Sequence, residues 1–499
     1  MGPTRNDPIV EKIERLRRGK RPRVLDLFAG CGGISLGFQA AGFRIDAAIE
    51  LDAIAVRTHA LNFHSHLDSE SITPHQKARD ITSIEPDQLT ADLSLGEVAR
   101  AFDVVVGGPP CQAYARVGRA KLRDVADHPS AFKVDPRGNL YLRYLHYVKA
   151  TKPLAILMEN VPDAMNYGGH NVMAEVAEVL SDLGYVANYS LINTAFHGVP
   201  QIRDRVFLIA YHNAIQADIR FPKASNHLIL SSGYAGTRAM ALKFVDLFEA
   251  GFFEEADQGD STLPGPVTSS DAIGDLPPIT LHLEGKLRRG PRHFDEPIPY
   301  GVPLVISNYA KTMREWPDFQ APADGLRDHV IRFLPRDADI FRHMPNGGEY
   351  PAAHATAVKL WEKRVKQIER STKKTMSKAE LRQLRKEMVP PYPIDTFPNR
   401  WWKLKADSPS RTLMAHIGKD TYSHIHYDSR QARVISVREA ARLQSFPDGF
   451  TFCGTMNPAY RQIGNAVPPL MAKRLAEEIM DALQKASYPK ATKDMIAAE

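Results

Sequence analysis

An α/β fold built around a parallel sheet is predicted for residues 23–210 by three observations: five short apolar runs, helical spacing between several of them, and a glycine turn closing the first. The runs are RVLDLF, FRIDAAIE, FDVVVGG, PLAILMENV and RVFLIAY, each of a length suited to a buried strand. Between them, Leu140, Tyr144, Leu145 and Val148 recur at helical intervals. Strands alternating with helices favour a parallel sheet covered on both faces. Ligands of such sheets bind beyond the carboxyl ends of the strands, so the residues at those ends are the first candidates for chemistry.

The chain has 499 residues, of which 43% are hydrophobic and 24% charged, which excludes a disordered or collagen-like protein. No apolar run is long enough to span a bilayer, and the N-terminal segment lacks the apolar core of a secretory signal, so a cytoplasmic protein is expected. Cys31, Cys111 and Cys453 are too few and too dispersed for a disulfide framework or a structural zinc site. From about residue 215 the sequence becomes irregular and rich in Pro and Gly, and all four tryptophans (Trp316, Trp361, Trp401, Trp402) fall beyond that point. Regular patterning resumes after about residue 432, and the last residues, 486–499, read as a tail. The formal net charge is +6, yet residues 359–386 alone carry 11 Lys/Arg against three Glu. Such a segment suits a polyanion such as DNA; a solvated helix face is the alternative.

The first strand runs into Phe28, Ala29, Gly30, Cys31, Gly32 and Gly33, then a helix. Glycines at a strand-to-helix turn let a ligand approach the backbone and face the free N–H groups of the helix start. The dinucleotide pattern G-x-G-x-x-G fails, because Ser35 stands where its last glycine belongs. Glu50 follows at the end of the second strand, where a carboxylate can accept two ribose hydroxyls, and Asp80 can meet an exocyclic amine; helix capping is the alternative for both. Together they describe an adenosine pocket. The third strand ends in Gly107-Gly108-Pro109-Pro110 and presents Cys111, a rigidly flanked position suited to a nucleophile that positive charge nearby would activate. Glu159 ends the fourth strand, and Gln201, Arg203 and Arg205 are expected to alternate along the next, pointing to one face. His416, His424 and His426 lack cysteine or acidic partners at ligand spacing, so no metal is expected.

DLFAGCGGISLGF, Glu50-Leu51-Asp52, ARDI, GGPPCQ, RGNLY, MENV, GVPQIRDRVF, RVISVREAARLQSFPD and GNAVPP stand in an order that resembles the DNA (cytosine-5) methyltransferase family of bacterial type. The resemblance covers about residues 23–210 and 432–485. It implies an S-adenosylmethionine-dependent methyltransferase (Rossmann-like) sheet with an inserted, irregular target-recognition domain. Residues 1–215 and 432–485 would form a discontinuous catalytic and cofactor-binding domain, and 216–431 the recognition domain, with a basic helical insertion near 359–386. The implied reaction moves a methyl group from S-adenosylmethionine, leaving S-adenosylhomocysteine, to carbon 5 of a cytosine flipped out of a specific duplex DNA sequence.

By the same resemblance, Cys111 adds to C6 and Glu159 holds and protonates N3. Arg205 contacts O2, and Arg203 lies beside the thiolate. Phe28, Gly30, Gly32, Glu50 and Asp80 would bind the cofactor, with Asn465 closing the pocket. Arg116, Arg119, Lys121 and Arg123, in a long loop after Cys111, would grip phosphates. A monomer with no membrane association is expected, protecting bacterial DNA beside a restriction nuclease or another phage-defence system. Amino-group methyltransferases are a poorer match, because their Pro-Pro pair follows Asp or Asn and precedes an aromatic residue, whereas here it lies between Gly108 and Cys111. The RNA-acting branch of the same fold lacks an insertion this large, and a catalytically silent DNA-binding module would not need Cys111, Glu159, Arg203 and Arg205.

Overall fold

The computed structural model describes residues 7–110, 139–167, 169–243, 245, 251–286, 296–301, 306–418 and 422–487. Six strands form one sheet: β1 (Arg23–Leu27), β2 (Arg44–Ile49), β3 (Val104–Gly107), β4 (Ala155–Asn160), β5 (Tyr185–Asn193) and β6 (Asp204–His212), in the order β2-β1-β3-β4-β6-β5. The mixed α/β, Rossmann-like character expected from the sequence is present. β1 pairs in parallel with β2 and β3, and β3 with β4, so these four strands end together on one side.

The fully parallel sheet expected from the apolar runs is corrected at β6, which runs antiparallel to both β4 and β5. Only residues 194–203 separate β5 from β6, fewer than a parallel crossover needs, and they make a 3-10 turn closed by Gly198 at φ +82°. β5 is not one of the five apolar runs, because YVANYSLIN mixes Asn188, Ser190 and exposed Val186 with its apolar residues.

Side chains alternate across the sheet. Leu25, Leu27, Val105, Ile156 and Met158 share one buried cluster with Tyr141, Leu145 and Val148 of the helix Asn139–Thr151 and Val176 and Leu180 of the helix Val172–Asp182. On the opposite face, Asp26 reaches Ser35 of the helix Gly33–Ala40. That helix packs against the C-terminal helix Pro469–Ser487 so closely that a Cβ on Gly37 would lie 2.4 Å from the Lys473 backbone nitrogen.

The chain divides into two compact units, one of residues 1–199, 203–265 and 466–499 and the other of 200–202 and 266–465. These boundaries differ from the sequence expectation at two places. Residues 216–265 stay with the first unit, where Tyr189 bridges to Phe253 and the Ser190 hydroxyl donates to the Glu254 carbonyl at 2.6 Å. Residues 432–465 belong to the second, held by buried ion pairs: Arg433 with Glu439, Arg438 with Asp328, and Arg442 with Asp448 and Asp275. Removing one partner of such a pair strands the other charge in the interior. The second unit also has an aromatic cluster of Phe341, Trp401, Tyr350 and Tyr422 around a two-stranded parallel sheet, β7 (Trp401–Lys403) with β8 (Tyr422–Ile425). Among the described residues, no helix is long and apolar enough to cross a membrane.

Gly37→Ala tests the helix contact. In an open helix this change stabilises by about 1 kcal/mol. Here the added carbon meets backbone, so the variant is expected to lose about 1–3 kcal/mol in urea unfolding.

Candidate active site

Two groups of side chains gather at the carboxyl ends of β1 to β4. The first surrounds the glycine turn. Phe28 leaves β1 at φ +60°, a strained conformation for a residue with a Cβ, and Gly30 follows at +56° and Gly32 at +100°. Gly32 is required sterically, since a Cβ there would lie 2.3 Å from the Phe63 ring, whereas the space beside Gly30 is open. The Ala29 N–H donates to the Ile49 carbonyl at 3.1 Å, which joins the turn to the end of β2.

Glu50 fixes the same turn. Its Oε2 accepts the Gly30 N–H at 2.8 Å and its Oε1 the Asp52 N–H at 2.7 Å. A carboxylate has about four acceptor directions, so Glu50 keeps capacity for a ligand's hydroxyls. Asp52 caps the helix Ala53–Phe63 through Oδ1. The Arg79 N–H donates to the Glu50 carbonyl at 2.8 Å and so brings Asp80 to this edge. Asp80 is exposed, and its Oδ1 accepts from the Thr82 N–H at 2.9 Å and the Thr82 hydroxyl at 2.7 Å. Phe28, Gly30, Gly32, Glu50 and Asp80 are thus brought together around the end of β1 and its neighbour β2.

A network that sequence reasoning missed lies behind the turn. Ser35 donates to Asp26 Oδ2 at 2.6 Å, and His59 Nε2 lies 3.0 Å from the Ser35 hydroxyl, all three side chains being buried. Burial pushes the Asp26 carboxyl up to about 7 and His59 down to about 3. His59 is therefore neutral, and with the Ser35 hydroxyl donating to Asp26 it is the Nε2–H tautomer of His59 that can donate to the Ser35 oxygen. The available signal was Ser35 itself, the residue that breaks the dinucleotide pattern. Leu51, beside Glu50, is also notable as an apolar side chain left 68% exposed.

The second group lies where β3 and β4 end. Their register pairs Gly107 with Met158, which sets Gly108 beside Glu159; a Cβ on Gly108 would lie 2.8 Å from Glu159 Oε2. Asn160 Nδ2 donates to the Pro109 carbonyl at 2.7 Å and also meets the Tyr141 hydroxyl, and its Oδ1 accepts the Val161 N–H at 2.8 Å. The backbone two residues before Cys111 is thereby tied to β4. Cys111 itself, with Arg116, Arg119, Lys121 and Arg123, lies outside the described residues.

Arg205, on β6, donates from Nε to Glu159 Oε1 at 2.9 Å and from Nη1 to the Asp204 carbonyl at 2.7 Å. Arg203 is buried just before the strand and donates from Nη2 to the Ala466 carbonyl at 3.2 Å. Burial lowers the pKa of both arginines; for Arg203 the neighbouring Arg205 adds to the effect, and for both Glu159 opposes it. Guanidinium groups remain protonated at neutral pH, so Arg203 and Arg205 bring two positive charges to the Glu159 carboxylate, with Asp204 and Asp163 also acting on Arg205.

The expected alternation of Gln201, Arg203 and Arg205 on one strand face is corrected. Only Arg205 lies within β6, and Gln201 belongs to the second unit, where it donates to the Leu443 carbonyl and accepts the Leu413 N–H. Asn465 is the exposed last residue of the helix Met456–Asn465 in that unit, directly before Ala466. His424 and His426 are buried and hydrogen-bonded within the second unit, to the Arg411 carbonyl and the Asp428 N–H respectively.

The model of the C-5 cytosine-specific DNA methylase family matches residues 22–249 and 314–481. The chain belongs to that family. It is 37% identical over 473 residues to M.OihORF3336P of Oceanobacillus iheyensis, a protein named as a type II methyltransferase, covering 93% of this chain and 96% of the relative. It is 30% identical over 484 residues to the type II methyltransferase M.AgeI of Thalassovita gelatinovora, covering 92% of this chain and 100% of the relative. Among solved structures, it resembles a DNA modification methyltransferase encoded within an Escherichia coli prophage in fold, with a TM-score of 0.57 at 20% identity, over 93% of this chain and 99% of the other.

Asp26→Asn tests the buried network by pH. A carboxyl whose pKa is raised on folding favours the folded state at low pH, and that contribution is lost as the pH rises from the ordinary carboxylate value towards about 7. Chemical denaturation of Asp26→Asn and wild type across this range should therefore show the variant gaining stability relative to wild type as pH rises. A constant difference would contradict the assignment.

Proposed function

We propose that this methylase transfers a methyl group from S-adenosylmethionine to carbon 5 of a cytosine flipped out of duplex DNA, through a covalent bond between Cys111 and C6. The observation that carries this reading is the Glu159–Arg205 pair at the end of β4, set against Gly108 on the strand that leads to Cys111. Carbon 5 is too weak a nucleophile to attack the donor unaided. Addition of the Cys111 thiolate to C6 moves ring electrons towards C5, and Glu159 holds N3 and supplies its proton. With Glu159 Oε1 engaged by Arg205, Oε2 faces the gap at Gly108 and is the oxygen assigned to N3. Arg205 is assigned to O2, and the positive potential of Arg203 and Arg205 favours the thiolate over the thiol. After methylation, removal of the C5 proton lets the C6–sulfur bond break, returning Cys111 and the ring double bond.

The described residues fit the cofactor. The open face of Gly30, the strained Phe28 and the carboxylates of Glu50 and Asp80 offer backbone approach together with acceptors for ribose hydroxyls and an adenine amine. When bound there, S-adenosylmethionine supplies the electrophilic methyl group. Asn465 is assigned to the same pocket. The type II methyltransferases among the relatives support a role in protecting host DNA beside a restriction nuclease.

Incubation with methyl-labelled S-adenosylmethionine and either duplex DNA or transfer RNA tests the reading. Label is expected in duplex DNA as 5-methylcytosine. Cys111→Ser should lower the rate about a thousandfold or more, and Glu159→Gln by a factor of about 10²–10⁴. Labelling of transfer RNA alone, or an unimpaired Cys111→Ser variant, would overturn it.

A further inference from the structure

The second unit carries a helical hairpin whose outer part takes no share in its core. The helix Tyr350–Thr372 buries only Tyr350, Ala353 and Ala357, all in its first turns, and the helix Lys378–Met388 buries no residue. Lys373 turns the chain at φ +56°, and Ser377 and Glu380 form a reciprocal cap that starts the second helix. The guanidinium of Arg385 lies 5.2 Å from the centre of the Trp361 ring, so the two helices fold back on one another. Apolar burial does not account for this projecting segment, and its surface chemistry is one-sided.

All 11 Lys/Arg between residues 359 and 386 are exposed, and none makes an ion pair among the described residues. Salt-bridged helices ordinarily intersperse both signs at neighbouring turns. Lys359, Lys363, Lys366 and Arg370 form one row at helical spacing and line an open groove in which Glu362 is the one acid, so the lining carries four positive charges against one negative. The row rises about 16 Å along the helix, comparable to about five base-pair steps of B-DNA. None of the exposed large apolar residues falls between 359 and 386, so the surface provides no platform for stacking single-stranded bases and no apolar anchor for a protein partner.

We propose that this hairpin binds the phosphate backbone of duplex DNA. The inference rests on the reading that duplex DNA is the substrate. Backbone contacts of this kind raise affinity without carrying sequence information, and each releases condensed counterions.

The test compares wild type with a quadruple variant, Lys359→Gln, Lys363→Gln, Lys366→Gln and Arg370→Gln, in the full chain. A charge-retaining set with arginine at the three lysine positions and lysine at 370 serves as the control. Fluorescence anisotropy on mixed-sequence duplexes of about 15 and about 35 base pairs gives the dependence of log K on log salt. The quadruple variant should lower the slope on the longer duplex by about 3 to 4, equivalent to about a hundredfold less affinity loss between about 50 and about 200 mM salt. The control should keep the wild-type slope. An unchanged slope in the quadruple variant, with circular dichroism showing the helices intact, would overturn the inference. Methyl transfer to plasmid DNA by the wild type is measured in parallel. If transfer occurs but the slopes are equal, only the hairpin inference fails; if transfer is absent, the reading of the reaction fails, and the slopes still decide whether the hairpin grips DNA.

Discussion

One carboxylate, Glu159, paired with the half-buried Arg205 guanidinium and attracted by the buried Arg203, is the constraint on which the candidate active site turns. Glu159 stands near the end of β4, and Arg205 meets it from the antiparallel β6. The pair lies beside the strand that carries the chain to Cys111. Glycine at 108 leaves the carboxylate room, and Asn160 ties the Pro109 carbonyl to β4. Backbone register therefore sets the spacing of Glu159 from Gly108 and Pro109, the residues that lead to the proposed nucleophile.

The proposed cofactor side is built on a different principle. Its turn is held from outside by Glu50 and from behind by Ser35, which bridges Asp26 and His59. A glycine at position 35 would leave the buried Asp26 carboxylate without that donor, an expensive loss in a low-dielectric interior. The departure from the dinucleotide pattern is thus a consequence of how this turn is supported. Glu50 serves both the turn and the proposed ribose contact, and its role cannot be divided between structure and binding.

Much of this was legible in the sequence, for reasons that can be stated residue by residue. β1, β3 and β4 are buried on both faces and read as continuous aliphatic runs, so their ends, and with them Gly30, Gly108 and Glu159, could be placed. β5 was hidden because an edge strand mixes Asn188, Ser190 and exposed Val186 into its pattern. Strand direction is not encoded in an apolar run, so β6 reads as parallel from sequence alone, and Gln201 reads as sharing one strand face with Arg203 and Arg205. The grouping of residues 432–465 depends on Arg433, Arg438 and Arg442 finding acids within the second unit, and two of those acids, Asp275 and Asp328, lie more than a hundred residues away in sequence. Charged residues in an amphipathic helix give no sign of being buried until their partners are known.

The central claim is that sulfur attacks the ring while Glu159 steadies it, and trapping tests it most directly. Duplex DNA in which 5-fluorocytosine replaces cytosine has no proton at C5 to lose after methylation, so the C6–sulfur bond cannot be released by elimination. With S-adenosylmethionine present, mass spectrometry of the digested protein should find a denaturant-resistant adduct on the peptide containing Cys111. A preparation that methylates ordinary duplex DNA yet forms no such adduct, or forms it on another residue, would contradict the mechanism.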